Sequence, residues 1–328
     1  MRIAIIGAGT LGTTYAALLA HSQPPVECWL VGSASSAAHF RAIRDHGLQF
    51  TLADSVLVAL PSSLHPPFSQ PIYNLRLTDQ LASLLPIDLA IVLVKGYRTA
   101  DAAHQIRSCL QPAGIVLTLQ NGLGNAALLR DYLPDVTVIQ GITYNGANTP
   151  APGHIHFTAL RSTILPAEPH PYLDAFAAAL QSVGVPVTRE TQMLDALWRK
   201  LLINCAINAL GGLLNLRNGD LLLHEAARIL MHTLVAEALP VAQAAGALRD
   251  QTVDSMTVQV MQTAETSAQN WNSLAQDLQR GRRTEINTLN GAVLAYAAKH
   301  RLAVPTHQAL VQLVQVREQS SVIVLPSI

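Results

Sequence analysis

Charge is scarce in this chain: 13% of its 328 residues are Asp, Glu, Lys or Arg, and the 21 acidic and 21 basic side chains cancel. A nucleic-acid partner needs a surplus of Lys and Arg, so that class is excluded. Cysteine is scarce as well. Cys28, Cys109 and Cys205 are isolated, odd in number and free of any CxxC spacing. They read as buried thiols in a reducing compartment, with no disulfide framework and no zinc site. No run is a convincing membrane span, so no membrane partner is expected. Met1-Arg2 and the apolar stretch to Ala20 have the outline of a signal peptide, but three glycines and three threonines interrupt it between residues 7 and 14. The expected setting is therefore the cytoplasm. Internal repeats and low-complexity tracts are also missing, and the four prolines in 61–71 mark a surface loop.

What is present is apolar: half of the residues are hydrophobic, which argues against disorder. The length favours two domains, each with a large core. Residues 2–6, 26–31, 89–94 and 114–119 are apolar or β-branched runs, with helical spacing at 13–21 and helical composition at 99–110. Continuous apolar runs suit parallel strands covered on both faces, and this alternation predicts a doubly wound α/β domain. Residues 136–142, 154–158 and 185–188 are strand-like and 171–183 helical, expected as the far side of the same sheet. From about Gln192 helices follow at 194–210, 221–246, 253–263 and 285–300. The expectation is a Rossmann-type domain over 1–191 and an all-α domain over 192–328.

Gly7-Ala8-Gly9-Thr10-Leu11-Gly12 follows a predicted strand and opens a predicted helix, the context a dinucleotide fingerprint requires. Gly7 would allow the tight turn, Gly9 the approach of a pyrophosphate and Gly12 the packing of helix on strand. Helix N-terminal amides would then hold the phosphates. No GK[ST] follows, which excludes a P-loop. The second strand ends Leu30-Val31-Gly32-Ser33, without an acid to repel a 2′-phosphate, and Ser33, Ser35 or Arg41 could reach one. NADP is thus favoured over NAD.

The run from Leu197 to Asn208 puts Lys200, Asn204 and Asn208 at i, i+4 and i+8 in an apolar helix. At about 100° per residue they fall within about 80° on one face. An apolar helix presenting an ammonium and two amides together either carries a burial penalty or lines a polar pocket. A lysine in a partly dry cleft suits protonation of an alkoxide, because burial lowers its pKa toward the working pH. Its charge also polarises a carbonyl beforehand. The blander alternative is a snorkelling lysine, which Trp198 and the aligned asparagines disfavour.

These motifs, with Gln120-Asn121-Gly122 after a strand and Ser273-x-x-Gln276-Asp277 running to Arg283-Thr284-Glu285-Ile286, resemble the ketopantoate reductase (2-dehydropantoate 2-reductase) family over residues 2–305. The resemblance implies a Rossmann domain joined to an all-α domain, an active site in the cleft between them, and NADPH-dependent reduction of a 2-keto acid. It implies that Lys200 is the general acid, with Glu285 by the substrate hydroxyl or cofactor ribose. It makes Asn204, Asn208 and Asn218 substrate contacts, Ser273 the holder of the substrate carboxylate, and Asn121 a neighbour of nicotinamide and substrate. Gly7, Ala8, Gly9, Thr10, Leu11, Gly12, Lys95 and Ala147 would meet the cofactor. Two departures stand out: Val31 replaces a frequent arginine, which leaves NAD open, and His307-Gln308 is atypical for a substrate pocket.

Other readings of single residues remain. Glu285 follows Arg280, Arg282 and Arg283 and could be a surface salt bridge, with Thr284 as a helix N-cap. Asp277 reads as scaffold paired with one of those arginines, and Asn121-Gly122 as a plain turn. His154 and His156 have no third ligand, so no metal is expected, and Ser62-Ser63 has no base partner. The expected function is ketopantoate reduction for pantothenate synthesis, by a monomer or homodimer. Alternatives are a related NAD(P)-dependent enzyme of another 2-keto or hydroxy acid, and a non-catalytic NADP-binding regulator.

Overall fold

A computed structural model describes residues 1–53, 56, 71–72, 75–81 and 86–320. Ser62-Ser63 and the expected proline loop, apart from Pro71, lie outside the described residues. The described chain forms two units, one of Met1–Gln120 with Asn125–Met193, the other of Asn121–Gly124 with the chain from Leu194 on.

In the first unit, six parallel strands stand in the order β4-β2-β1-β5-β6-β7: Arg76–Thr78, Glu27–Val31, Arg2–Ile6, Ile87–Val92, Leu110–Thr118 and Thr137–Gln140. This is a Rossmann-like sheet. Its central strands β1 and β5 and the second half of β6 are largely apolar because successive side chains feed opposite, covered faces. Ile3, Ile5, Leu89, Ile91, Ile115 and Leu117 join one core, while Ala4, Ile6, Ala90, Val92 and Val116 join another. Helix α1 (Thr10–Leu19) contributes to the first core; α3 (Thr99–Ile106) and α4 (Asn125–Tyr132) contribute to the second. Helix α2 (Ala37–His46) follows β2.

The strands beyond β7 do not continue this sheet, contrary to the expectation from sequence. Gln49–Leu52 (β3), Gly146–Ala151 (β9) and His154–Ala159 (β10) make one three-stranded sheet, and Ile142–Thr143 (β8), Thr163–Pro166 (β11) and Val187–Glu190 (β12) another. The break comes at Gly141, where an added Cβ would lie 2.8 Å from Leu119 and 2.9 Å from the Ile164 carbonyl. The buried Tyr15 hydroxyl ties α1 to this region, donating to Thr143 Oγ1 at 2.8 Å and accepting from Asn145 Nδ2 at 3.2 Å.

The second unit is helical. Helix α5 (Pro171–Ser182) and β12 end the first unit; α6 (Met193–Leu214) begins at the boundary. Then follow α7 (Glu225–Ala244), α8 (Val253–Thr266), α9 (Ser273–Gln279), α10 (Asn290–His300) and α11 (Pro305–Ser320). One core built from α6, α7, α8 and α10 includes Trp198, Leu202, Met231, Val260 and Val293. Trp198 is fully buried and meets Tyr296 edge-on at 5.1 Å. No helix among the described residues is long and apolar enough to cross a membrane.

Candidate active site

The glycine turn joins β1 to α1 in the first unit, and each glycine answers a different demand. Gly7 has φ +121°, and a Cβ there would lie 2.7 Å from Val94 N and 2.8 Å from Leu93 C. Only glycine adopts this backbone so close to the next strand. A Cβ on Gly12 would lie 1.8 Å from the Gly7 carbonyl oxygen, so Gly12 lets the helix start against the turn. At Gly9 a Cβ would meet nothing within 4 Å. Packing does not require this glycine, and its exposed surface leaves room for a close ligand.

Ala8, Thr10 and Leu11 complete the turn. Thr10 Oγ1 lies 2.8 Å from Thr149 Oγ1, and the first turn of α1 carries no acidic residue. An anion at these amides therefore meets no carboxylate of that turn. Ala147 lies on β9, partly buried against the same core as α1. Lys95 follows β5, half-buried before the turn Gly96–Arg98. Beside it, Gln120 Nε2 donates to Val94 O at 2.8 Å and to Thr99 Oγ1 at 2.9 Å, which fixes the loop ends of β5 and β6.

Residues Asn121–Gly124 belong to the helical unit. Leu123 N donates to Thr288 O at 3.0 Å. Gly122, at φ +84°, brings its Cα so near that a Cβ would sit 2.0 Å from that oxygen. The stitch presents Asn121 to Lys200 on α6, whose ammonium donates to Asn121 Oδ1 at 2.7 Å. Burial lowers the Lys200 pKa to about 8, and the Glu285 charge pulls it back upward. The structure thus brings together Lys200, Asn121 and Glu285. Holding a lysine near neutrality while keeping it mostly ammonium is what a general acid requires.

One and two turns onward, Asn204 is half-buried and Asn208 is 7% exposed. Neither amide has a hydrogen-bond partner among the described residues, although a buried amide ordinarily has one. Both remain available to a bound molecule. Asn218 is differently placed: its Nδ2 donates to Ser267 Oγ at 2.9 Å and its Oδ1 accepts from Asn272 Nδ2 at 3.3 Å. Asn272 in turn caps α9 through Ala275 N at 2.9 Å. This amide is occupied by the scaffold. Ser273, the first residue of α9, is exposed.

Several other expectations resolve differently. The last long helix pattern begins at Asn290 and not at Glu285, with a turn before it. Thr284 does not cap that helix. Its N–H and hydroxyl both donate to Glu318 Oε1, at 2.7 and 2.5 Å. Asp277 is buried, and its carbonyl accepts the N–H of Arg282 at 2.8 Å. His307 is fully buried: Nε2 donates to Leu234 O at 3.0 Å and Nδ1 accepts from Asn290 Nδ2 at 3.2 Å. Its departure from the family pattern is a matter of helix packing, while Gln308 is exposed. Asn272 and Thr288 are structural partners of site residues that sequence reading missed. One signal was available: the chain has three lysines, Lys95, Lys200 and Lys299, and two of them are candidate site residues.

Residues 3–169 match the family model described as ketopantoate reductase PanE/ApbA, and 192–318 the model of its C terminal region. The 2-dehydropantoate 2-reductase of Halobacterium salinarum is 32% identical over 97% of this chain and 99% of its own length. The crystal structure of a PanE/ApbA family ketopantoate reductase from Ralstonia eutropha JMP134 superposes with a TM-score of 0.84 at 28% identity, covering 98% of this chain and 100% of that one. A ternary structure of D-mandelate dehydrogenase with NADH and anilino(oxo)acetate shares the fold at TM-score 0.85 and 24% identity, over 98% and 100% of the two chains.

Proposed function

Since the chain belongs to the ketopantoate reductase family, oxidoreductases acting on a keto group, we propose that it reduces 2-dehydropantoate to pantoate with NADPH. The reading rests on one observation above the others: a buried ammonium at pKa about 8, oriented by Asn121 and faced by the charge of Glu285.

The bound nicotinamide would supply a hydride to the C2 carbonyl carbon. Gly7, Ala8, Gly9, Thr10, Leu11 and Gly12, with Lys95 and Ala147, would hold that cofactor in a domain spanning 1–191; the open face of Gly9 fits a pyrophosphate at the α1 amides. In a catalytic domain spanning 192–328, Lys200 Nζ polarises the carbonyl oxygen and gives it a proton as the carbon is reduced. With a pKa near 8, the side chain is about ten to one protonated at pH 7. Glu285 keeps the ammonium form populated and meets the substrate hydroxyl. Asn121 aims the proton.

Asn204 and Asn208, with unclaimed amides on the same helix face, orient hydroxyl and carboxylate oxygens without neutralising the lysine. Ser273 binds the carboxylate. Asn218 completes the set from its clamp with Ser267 and Asn272. NADPH is favoured because β2 ends Val31-Gly32-Ser33, where NAD-type folds place an acid for the ribose 2′-hydroxyl. The proposed setting is the cytoplasm, in keeping with the unpaired thiols of Cys28, Cys109 and Cys205.

The test is a panel of 2-keto acids with NADPH oxidation followed at 340 nm. Ketopantoate should have the highest kcat/KM. Strong turnover of another keto acid with none of ketopantoate would overturn the substrate assignment.

A further inference from the structure

The end of β2, which would carry a phosphate-binding arginine, holds Val31, which is 1% exposed and packed with Ile6 and Leu81 in the core. A cation must come from elsewhere if this chain grips a 2′-phosphate. Gly32 shows where. A Cβ at Gly32 would lie 2.7 Å from the Phe40 ring and 2.8 Å from Ser36 Cβ, so the glycine lets α2 descend onto the end of β2. Arg41 and Arg44 then face a depression shared with Ser33, Phe40, Asp45 and Asp79.

Both guanidiniums are exposed, and neither has an ion-pair or hydrogen-bond partner among the described residues. Arg44 lies over the Phe40 ring, 5.9 Å from its centroid. Ser33 Oγ lies 2.8 Å from Ser35 Oγ. Two hydroxyls sharing one hydrogen bond leave one proton free for an outside acceptor.

We propose that Arg41 and Arg44, with Ser33, form the subsite for the 2′-phosphate of NADPH, replacing an arginine at position 31. The inference rests on the NADPH reading above. A phosphate monoester carries close to two negative charges at neutral pH and takes planar N–H pairs from guanidinium. Asp45 and Asp79 in the same depression balance the arginines. Those two carboxylates oppose a dianion, so without the guanidiniums the depression would repel a 2′-phosphate.

The test measures binding, not turnover: dissociation constants of NADPH and NADH from nicotinamide fluorescence, with adenosine 2′,5′-bisphosphate and 5′-AMP as competitors. The wild-type protein should bind NADPH and the bisphosphate more tightly than NADH and 5′-AMP. Arg41→Ala should weaken NADPH and the bisphosphate by about tenfold or more, as loss of a charge-assisted contact does. NADH, the internal control for folding, should move less than about twofold. Arg41→Ala/Arg44→Ala should lose at least as much. A double variant that keeps the wild-type NADPH-to-NADH ratio would overturn the subsite while leaving NADPH preference intact. Equal wild-type affinity for the two cofactors would overturn both.

Discussion

Lys200 Nζ donates to Asn121 Oδ1 at 2.7 Å, across 79 positions of sequence. A neutral amide accepts from the ammonium without taking its proton, so the contact orients the ammonium and leaves its charge in place. A carboxylate at 121 would instead hold the lysine as an ion pair. Asn121→Asp is expected to raise the Lys200 pKa, and Asn121→Ala to lower kcat through a misaimed proton.

Removing the proposed acid should have the larger consequence. Lys200→Ala should lower kcat by at least about 100-fold, as loss of a positioned general acid does. Steady-state kinetics with ketopantoate measure it, and a kcat near that of the wild type would refute the role.

The pH profile follows from the same group. With the Lys200 pKa at about 8, log kcat/KM should fall above that pH as the ammonium deprotonates. The Glu285 charge raises this pKa, so Glu285→Gln should move the alkaline break to lower pH. An unmoved break in the variant would remove Glu285 from this electrostatic role.

The glycine turn allows fold and binding to be separated. Gly12→Ala places a Cβ 1.8 Å from Gly7 O and should destabilise the protein by about 2–3 kcal/mol, read as a lower urea midpoint. Gly9 has φ −82° and open space above it, so Gly9→Ala should leave the midpoint unchanged while weakening NADPH by about tenfold. Equal losses of stability in both variants would contradict the division of roles.

His307 adds a pH dependence of stability. Burial pushes its folded pKa below the ordinary 6.5, against smaller upward pulls from the Leu234 carbonyl and the Glu237 charge. Below about pH 6.5 the unfolded chain binds a proton that the folded chain does not, so the contribution is present above that pH and lost as pH falls. Denaturation at pH 7.5 and 5.5 should show His307→Gln with a shallower loss of stability than wild type. Equal slopes would count against it.

The parts of this molecule governed by local spacing were legible in its sequence. The glycine turn, the strands of the parallel sheet, and the single face of α6 that carries Lys200, Asn204 and Asn208 follow from backbone geometry within a few residues. Sheet membership did not follow. Residues 154–158 alternate as a strand should, yet periodicity carries no record of the neighbour, and β10 pairs with β3 and β9 instead of β7. His307 was misread for the same reason. Its atypical identity suggested an altered pocket, whereas its imidazole satisfies a helix carbonyl from 73 positions away. Nor does spacing reveal the partners of Asn218, whose amide meets Ser267 and Asn272 from 49 and 54 positions away.

The stitch from Leu123 to Thr288 bears on modular exchange. Four residues numbered among the sheet strands reside with the helices, so the body carrying Lys200 is discontinuous in sequence. A graft of residues 192–328 onto a relative's first domain would import Lys200 but keep the relative's own residue at position 121. A chimera built on this chain therefore has to match a segment on the far side of the splice, because a cut at the apparent domain boundary divides one hydrogen-bonded pair between two parents.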